Sequence, residues 1–385
     1  MPDEKKKVVY LLGAGASHAV IMHRDRANEG ILMPDIAEDV LLECESHYDI
    51  SLRDLCNIPW EDEIKKYKNV DIESIITLYE TSGTLIDKLR TNILRNLFRK
   101  ALITRLKNGL RGGNGSPTML SAFFEMHLLP DFKEELSAVL TLNYDNLVEK
   151  AMFENYGSLN IPFEAIPQNG QNVGDTRVPV LCKLHGSFHW ENTNPVRIND
   201  NLLIIDDDGG DNNDIEDRIL WVPPGVIKRN DHYPFNAIWG AARYYLKCDI
   251  LRIVGCSLNK NDWGILSLLH TTNRLRQDNQ QYEIQLIDYW EQYKEINNSF
   301  PYLQIHSIFE DEEFMTYITA EYSNEWRAKE KDNDSDKIKA WLVPPENVFE
   351  LWLKSKAYSL ISTPGGISLP ENFYLEKFYK GDLYG

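Results

Sequence analysis

The stretch Val8-Val9-Tyr10-Leu11-Leu12-Gly13-Ala14-Gly15-Ala16-Ser17 decides the fold class of this chain. Its first half is an apolar run typical of a buried β-strand, and its second half is a turn of small residues. A helix that begins directly after such a turn directs backbone N–H groups and the positive end of its dipole toward the carboxyl end of the strand. The stretch therefore predicts the first strand, turn and helix of an α/β fold, with the turn suited to a phosphate group.

The same turn narrows the class of nucleotide site. The dinucleotide pattern G-x-G-x-x-G requires glycine at the position of His18, so an ordinary nicotinamide-dependent dehydrogenase is disfavoured. No Gly-Lys-Ser/Thr follows the turn, which excludes a Walker phosphate loop. Taken by itself, the turn is equally compatible with a tight strand-to-helix connection that binds no ligand.

Composition indicates a large, acidic globular protein. The chain has 385 residues, 43% of them hydrophobic, and a formal net charge of -18 at pH 7. This length is enough for two domains or for one large domain with insertions. The negative charge opposes broad contact with nucleic-acid phosphates, and the basic residues between Arg95 and Arg111 are best explained as the solvated face of a helix. We therefore expect no direct nucleic-acid partner.

The N-terminal segment and the cysteines indicate the compartment. Residues 1–7 pass into the first strand without the apolar segment and cleavage site of a signal peptide. No run approaches the roughly 18 apolar residues of a membrane-spanning helix. The five cysteines form no C-x-x-C pair, which opposes a structural zinc and fits free thiols in a reducing compartment. We expect a cytoplasmic protein with no membrane contact and no metal ion.

The order of periodic segments predicts the domain organisation. Residues 35–130 have apolar positions at helical spacing and form a predicted helical insertion or cap. The apolar runs on either side predict one Rossmann-like domain over residues 1–310. The remaining segment, 311–385, is too short for a large core of its own. We expect this C-terminal extension to pack on the body, on another subunit or on a partner.

Four further apolar runs, at 138–142, 178–184, 250–254 and 284–287, have the composition of buried strands. Polar or small residues follow each run at once. Near-continuous apolar strands are typical of a parallel sheet with helices on both faces, and ligands in such folds bind beyond the carboxyl ends of the strands. The candidate site residues are therefore those at the strand ends: Gly13, Ala14, Gly15, Ser17, Thr141, Asn143, Tyr144, Asp145, His185, Gly255, Ser257 and Asp288.

In their order along the chain, these residues resemble the motifs of the sirtuin superfamily. Gly13–Ser17 resembles its GAG-x-S motif, Thr141–Asp145 its T-x-N-x-D motif, His185-Gly186 its HG motif and Gly255–Ser257 its G-[TC]-S motif. The resemblance extends over about residues 7–290 and is greatest to the bacterial sirtuin-like proteins of antiphage defence. It implies a Rossmann-like fold with NAD as substrate and a homo-oligomer. Proteins of this kind work with a HerA-type ATPase or a short Argonaute, and the resemblance implies the ATPase as partner because the C-terminal segment is too short for an Argonaute-associated domain.

The chain also departs from the sirtuin deacylases. It lacks the two C-x-x-C pairs that hold their structural zinc, and of their G-I-P-x-F-R segment only Met33-Pro34-Asp35 is similar. Protein deacylation is therefore disfavoured. The resemblance implies instead an NAD glycohydrolase that releases nicotinamide and ADP-ribose as the effector of abortive infection. Two alternatives stay open, namely a non-catalytic regulatory subunit that binds NAD or ADP-ribose, and a zinc-free deacylase.

The chemistry of NAD cleavage assigns roles to the candidates. The reaction expels neutral nicotinamide and leaves an oxocarbenium-like ribose, so the site must orient water and stabilise positive charge. Asn143 can hold a ribose hydroxyl and a water, His185 can act as a base near neutral pH, and Asp145 can bind the carboxamide or stabilise the cation. The residues expected to bind NAD are Gly13, Ala14, Gly15, Ser17, Thr141, Tyr144, Gly255, Ser257 and Asp288, the last through the adenosine ribose.

Each of these residues also has a structural explanation. Asn143 and Asp145 can be the cap and first-turn acid of the following helix. His185 can be a loop histidine, Gly255 can supply only a bend, and Ser257 can cap a turn. The joint functional interpretation is preferred because the candidates follow several strand ends, where ligands bind in this architecture.

Overall fold

The structure is a computed structural model of the chain, and it describes residues 5–24, 30–48, 72–109, 118–163, 177–198, 218–225, 231–258, 262–278, 282–321, 348–362 and 374–380. The strands in these ranges are β1 (Lys6–Leu12), β2 (Glu134–Thr141), β3 (Val180–Lys183), β4 (Gly186–Glu191), β5 (Arg197–Ile198), β6 (Ile219–Trp221), β7 (Ile250–Val254), β8 (Glu283–Ile287) and β9 (His306–Ser307). The helices are α1 (Ala14–Arg24), α2 (Met33–Tyr48), α3 (Ile72–Ser82), α4 (Leu85–Gly109), α5 (Thr118–Leu128), α6 (Leu147–Tyr156), α7 (Phe235–Tyr245), α8 (Trp263–Asp278), α9 (Trp290–Ser299), α10 (Glu312–Glu321), α11 (Val348–Ser362) and α12 (Tyr374–Lys380).

Six parallel strands form the main sheet in the order β3-β2-β1-β7-β8-β9. Successive residues of β1 alternate between two buried clusters, because side chains of a strand point to opposite faces. Val8, Tyr10 and Leu12 pack with helices such as α5 and α6, whereas Val9 and Leu11 pack with α7 and α8. The predicted parallel sheet with helices on both faces is therefore confirmed.

The carboxyl ends of five strands lie in one row. Lys183, Thr141, Leu12, Val254 and Ile287 are paired in register across β3, β2, β1, β7 and β8. The residues that follow them therefore lie along one edge of the sheet. From β1 the chain builds outward to β2 and β3, and it then returns to place β7 on the other side of β1. This reversal creates a crevice between the ends of β1 and β7.

A second, antiparallel sheet of order β5-β4-β6 was not predicted. Its central strand β4 begins at Gly186, directly after His185. Gly186 has a φ of 76°, and a Cβ at this residue would lie 2.3 Å from Leu220 O. The glycine thus allows the chain to turn from the main sheet into the second sheet immediately beyond a candidate site residue.

The prediction that the basic residues of α4 form a solvated helix face is wrong for Arg99 and Arg105 but agrees with the exposed Lys100 and Lys107. Arg111 lies outside the described residues. Arg99 and Arg105 are buried. The Arg105 guanidinium pairs with the Asp39 carboxylate and donates to Gly30 O at 2.8 Å. A planar guanidinium can satisfy several acceptors at once, so packing of α2 against α4 buries this arginine with its partners.

The described C-terminal helices pack in the same cluster as one face of β1. Phe349 and Trp352 of α11 are buried there, and Leu375 N of α12 donates to Glu125 Oε2 at 2.7 Å. The division into a domain over 1–310, an insertion over 35–130 and an extension over 311–385 stays a prediction.

Three further features concern membranes, metals and thiols. None of the described helices combines the length and apolarity needed to cross a membrane. Across the same ranges, no group of three His, Cys, Asp or Glu side chains is arranged to hold a metal ion. Cys44, Cys182, Cys248 and Cys256 are buried, and none of these four forms a disulfide bond.

Candidate active site

The ends of β1 and β7 meet through three glycines. Gly13 N donates to Val254 O at 2.9 Å, and Gly15 N donates to Gly255 O at 2.9 Å. Gly255 has a φ of 56°, and a Cβ there would lie 2.4 Å from Ala16 N. The two turns therefore approach each other so closely that only glycine fits at the contact.

This packing changes the expected use of the glycine turn. The N–H groups of Gly13, Gly15 and Ala16 donate to Val254 O, Gly255 O and Gly13 O, so the protein itself uses them. Helix α1 begins at Ala14, whose N–H has no partner within the helix because it belongs to the first turn. Ala14 is exposed and is the residue of the turn best placed to donate to a phosphate.

A cavity of about 520 Å³ opens over the crevice. Its volume lies within the range of about 300–1,000 Å³ that small-molecule sites have. All but two of the candidate residues line it, namely Gly13, Ala14, Gly15, Asn143, Tyr144, Asp145, His185, Gly255, Ser257 and Asp288. The row of strand ends thus brings residues from five separate segments to one cavity.

The two candidates that do not line the cavity, Ser17 and Thr141, form hydrogen bonds with Asn143. Asn143 Nδ2 donates to Gly13 O at 2.9 Å and to Ser17 Oγ at 2.8 Å, while Asn143 N donates to Thr141 Oγ1 at 3.1 Å. Because a carbonyl can only accept, the bond to Gly13 fixes which end of the amide is nitrogen. Asn143 Oδ1 has no partner among the described residues and is the end available to a ligand.

Asp145 has a structural role at the start of α6, although it precedes the helix instead of lying in its first turn as the alternative explanation expected. Its Oδ2 accepts from Ser17 Oγ at 2.7 Å, and its Oδ1 accepts from Leu147 N at 3.0 Å at the start of α6. The hydrogen bonds therefore run in one direction, from Asn143 to Ser17 to Asp145. Both carboxylate oxygens thus have protein donors, and Asp145 orients Asn143 through Ser17.

His185 lies against the ring of Tyr144. Their ring centroids are 6.0 Å apart with 30° between the planes, and Tyr144 also stacks on Phe188 at 5.3 Å. Tyr144 Oη donates to Val222 O at 2.9 Å, and Val222 N donates to His185 O at 2.8 Å. Burial raises the pKa of Tyr144 well above its ordinary value, so the phenol stays neutral. Stacking and backbone hydrogen bonds thus fix His185 at the cavity wall.

Asp288 and Ser257 lie on the β8 and β7 side of the cavity. Asp288 Oδ1 accepts from Tyr289 N at 2.8 Å. Burial raises the pKa of Asp288 to about 6, although the Tyr289 hydrogen bond opposes this rise. Ser257 is exposed, and its carbonyl oxygen lies 3.5 Å from Gln292 Nε2. At neutral pH the Asp288 carboxylate is a charged acceptor suited to a hydroxyl group.

The substitution Asp288→Asn tests the raised pKa. A folded-state pKa of about 6, compared with the ordinary value of 3.8, means that ionisation destabilises the fold as the pH rises through this interval. We expect the variant to raise the free energy of unfolding by about 1–3 kcal/mol at about pH 7 and to leave it unchanged at about pH 4.

Urea denaturation at the two pH values measures this difference. Asp249 also accepts one backbone N–H bond, from Lys7 at 2.8 Å, so Asp249→Asn controls for the loss of a carboxylate acceptor. An equal effect of Asp288→Asn at both pH values would contradict the raised pKa.

Several lining residues were not among the candidates. The polar ones are His18, Glu73, Asp262 and Gln292. Asp262 precedes α8 and its Oδ1 accepts from Ile265 N at 3.3 Å, so its helix-capping position was a usable signal. Val348 and Phe349 of α11 also line the cavity. No local pattern connects these two residues with strand ends so distant in sequence.

The charged lining residues give the cavity a negative character. Glu73, Asp145, Asp262 and Asp288 line it, and no lysine or arginine is found among its lining residues in the described ranges. Burial lowers the pKa of His18, while the nearby Asp35 raises it. A lining rich in carboxylates favours a positively charged group or a positive transition state.

The strand order, the crevice and the polar strand ends define a doubly wound α/β protein with a candidate small-molecule site. The family model of the SIR2-like domain matches residues 137–308, a segment that includes Asn143, His185 and Gly255 but not the glycine turn of β1. No curated protein sequence matches the chain.

Solved structures of Sir2 proteins are similar to the chain. One is a complex of a mutant Sir2 homologue with ADP-ribose; it is 14% identical, with 78% of this chain and 93% of that chain covered and a TM-score of 0.32. A second complex of a mutant Sir2 homologue with ADP-ribose is 17% identical, with 74% of this chain and 80% of that chain covered and a TM-score of 0.28. The fold itself is defined by the strand order and register of the main sheet.

Proposed function

We propose that this protein is an NAD glycohydrolase that cleaves NAD to nicotinamide and ADP-ribose. The observation that carries the proposal is that Asn143 and His185, from two separate segments, line one cavity beside the glycine turn of β1. The match of residues 137–308 to the SIR2-like domain supports NAD as the ligand. The carboxyl-rich lining supports a reaction in which positive charge develops on the ligand.

The bond that breaks joins the ribose C1′ to the nicotinamide nitrogen. Nicotinamide leaves as a neutral molecule with the bonding electron pair, so the leaving group needs no proton. Positive charge then spreads over the ribose ring, where the cavity carboxylates stabilise it. Because the positively charged nicotinamide ring becomes neutral as the sugar becomes positive, the lining must favour positive charge near the sugar in particular.

Water completes the reaction. Asn143 Oδ1 is the amide end available as an acceptor, and it can hold a water or a ribose hydroxyl at a fixed position. The water oxygen forms the new bond to C1′, and we assign His185 as the base that accepts its proton. Asp288 is suited to the adenosine ribose hydroxyls and Ala14 to a phosphate.

Uncontrolled NAD hydrolysis would harm the host cell, so we propose that activity is gated. The resemblance to antiphage sirtuin-like proteins supports a role as the effector of abortive infection, activated by a HerA-type ATPase partner or by assembly into a homo-oligomer. The acidic net charge of -18 is a reason to assign sensing to a partner, since it disfavours direct contact with nucleic acid.

One assay separates the candidate activities. Purified protein is incubated with NAD, alone and with a HerA-type ATPase, and nicotinamide and ADP-ribose are followed by chromatography. We expect equal amounts of both products without any acyl peptide. His185→Ala should reduce release at least a hundredfold, whereas the exposed His306→Ala should not.

The other outcomes identify the alternatives. Release that requires an acyl peptide would indicate a deacylase. Saturable NAD binding without nicotinamide release under every condition would indicate a regulatory subunit. Full turnover by His185→Ala would show that this residue is not the base.

A further inference from the structure

Four polar side chains form a fully buried cluster beneath the cavity, which we call the lysine cluster: Glu149, Lys183, Ser187 and His189. Each is 0% exposed, and none lines the cavity. Lys183 Nζ lies 2.8 Å from Glu149 Oε1. Burial raises the pKa of Glu149, and the Lys183 ammonium opposes that rise. The proposed reaction assigns no role to any of these four groups.

The cluster superficially resembles a nucleophile with its base. Ser187 Oγ lies 2.7 Å from His189 Nδ1, and His189 Nε2 lies 3.5 Å from Glu149 Oε1. A nucleophile must reach its substrate, however, and Ser187 is completely buried outside the cavity. The cluster therefore acts on the protein itself.

Its contacts lead to the loop that carries Asn143. The Lys183 ammonium donates to the carbonyl oxygen of Asp145. Ser187 Oγ lies 3.1 Å from the carbonyl oxygen of Tyr144, which also accepts from Phe188 N at 3.0 Å. Two consecutive carbonyls directly after Asn143 are thus bound by side chains from the segment 183–187.

That segment has His185 at its centre. Lys183 precedes His185 by two residues and Ser187 follows it by two residues. The side chains on either side of the proposed base therefore bind the backbone beside the proposed water-orienting amide. Lys183 and Ser187 thus connect the residues on both sides of His185 to the loop that carries Asn143.

Thermodynamics gives a reason to connect this arrangement with function. A fully buried ion pair carries a large desolvation cost, and replacing such a pair with apolar residues of similar size is often neutral or stabilising. Fixing one geometry among alternatives is a use for which buried polar groups can be retained.

We propose that Lys183, with Glu149 as its counter-ion and Ser187 as a second donor, is a positioning residue that fixes the separation of Asn143 and His185. The functional part of this inference rests on the proposed hydrolase activity. Its structural part, the anchoring of the Asn143 loop, does not.

The test replaces the buried pair as a unit. Lys183→Met combined with Glu149→Leu removes the ammonium without leaving an unpaired charge. We expect kcat for nicotinamide release to fall at least tenfold while KM stays within about threefold, because substrate binding is retained and alignment is lost.

The matched control is the buried pair of Arg252 and Glu134, which lies away from the cavity. Arg252 is 2% exposed and binds Glu134 and Tyr10. Because Arg252 also binds Tyr10 and Gln285, Arg252→Met with Glu134→Leu should lower the thermal midpoint, but it should leave kcat within about twofold of the wild type. Equal loss of kcat in both double variants would overturn the positioning role, because it would show a general loss of the fold.

Amide hydrogen exchange provides a readout that needs no activity. In the Lys183 and Glu149 double variant, amides of residues 143–147 should exchange at least about fivefold faster, with residues 8–12 unchanged. Unchanged exchange at 143–147, or wild-type kcat, would overturn the proposal.

If the wild type releases no nicotinamide, the hydrolase assignment fails and exchange alone decides whether the cluster anchors this loop. If the double variant does not fold, Ser187→Ala, which retains the ion pair, is measured for the same faster exchange.

Discussion

Asn143→Ala is expected to lower the rate of nicotinamide release at least a hundredfold, which corresponds to about 2.7 kcal/mol of transition-state stabilisation. The amide nitrogen is held by Gly13 O and Ser17 Oγ, so Oδ1 has a defined position in the cavity. Alanine removes this acceptor and also separates Ser17 from the amide that donates to it. Rates are to be compared under the condition that activates the wild type.

The control for this substitution is Asn155→Ala. Asn155 is partly buried and its Nδ2 likewise donates to two carbonyl oxygens, those of Ser121 at 3.2 Å and Ala151 at 2.9 Å, but it does not line the cavity. The Asn155→Ala variant should lose a similar pair of hydrogen bonds and release nicotinamide at the wild-type rate. NAD affinity of Asn143→Ala, measured by calorimetry, should stay within about fivefold of the wild type, since the effect falls on the reaction step. Turnover equal to that of Asn155→Ala would exclude Asn143 from the mechanism.

Gly255→Ala is expected to destabilise the protein by more than about 3 kcal/mol, because a left-handed backbone and a steric clash add together. The residue has a φ of 56°, and a methyl group there would lie 2.4 Å from Ala16 N and 2.5 Å from the carbonyl carbon of Gly15. These are backbone atoms and cannot rotate away. The ends of β1 and β7 would have to separate, which would also break the hydrogen bond from Gly15 N to Gly255 O.

Gly157→Ala isolates the contribution of the clash. Gly157 has a φ of 70° after helix α6, and nothing lies within 4 Å of its added Cβ. Its substitution should cost only the conformational penalty of about 1–2 kcal/mol. Equilibrium urea unfolding of both variants measures the difference. Equal losses of stability would mean that the two strand ends can separate freely and that the glycine contact does not define the crevice.

The sequence predicted the main sheet well because parallel strands buried on both faces are nearly continuous apolar runs. The run 138–142 was predicted to end a strand at Leu142, but β2 ends one residue earlier, at Thr141. The run 178–184 was predicted to begin a strand at Val178, but β3 begins two residues later, at Val180. The register across five strands cannot be read from any single run, yet it is this register that brings Asn143, His185 and Asp288 to one edge.

Other features depend on tertiary contacts that no local pattern encodes. Strand β4 begins at Gly186, where the sequence indicated only a polar strand end. The basic residues of α4 predict a solvated helix, but the Asp39 carboxylate of α2 neutralises the Arg105 guanidinium. The turn amides of Gly13 and Gly15 donate to Val254 O and Gly255 O because two segments distant in sequence pack together. The glycines are therefore explained by the close approach of these two turns as well as by phosphate binding.

Helix α11 has a consequence for biosynthesis. The strand ends that bear the polar site residues are complete once residue 288 has been made, but Val348 and Phe349, which form part of the cavity wall, are translated much later. Phe349 stacks on Trp352 of the same helix at 6.0 Å, and both residues lie in the buried cluster on one face of β1. A nascent polypeptide that has not yet reached residue 349 therefore lacks a finished cavity, and the order of translation keeps the site incomplete until helix α11 has been synthesised.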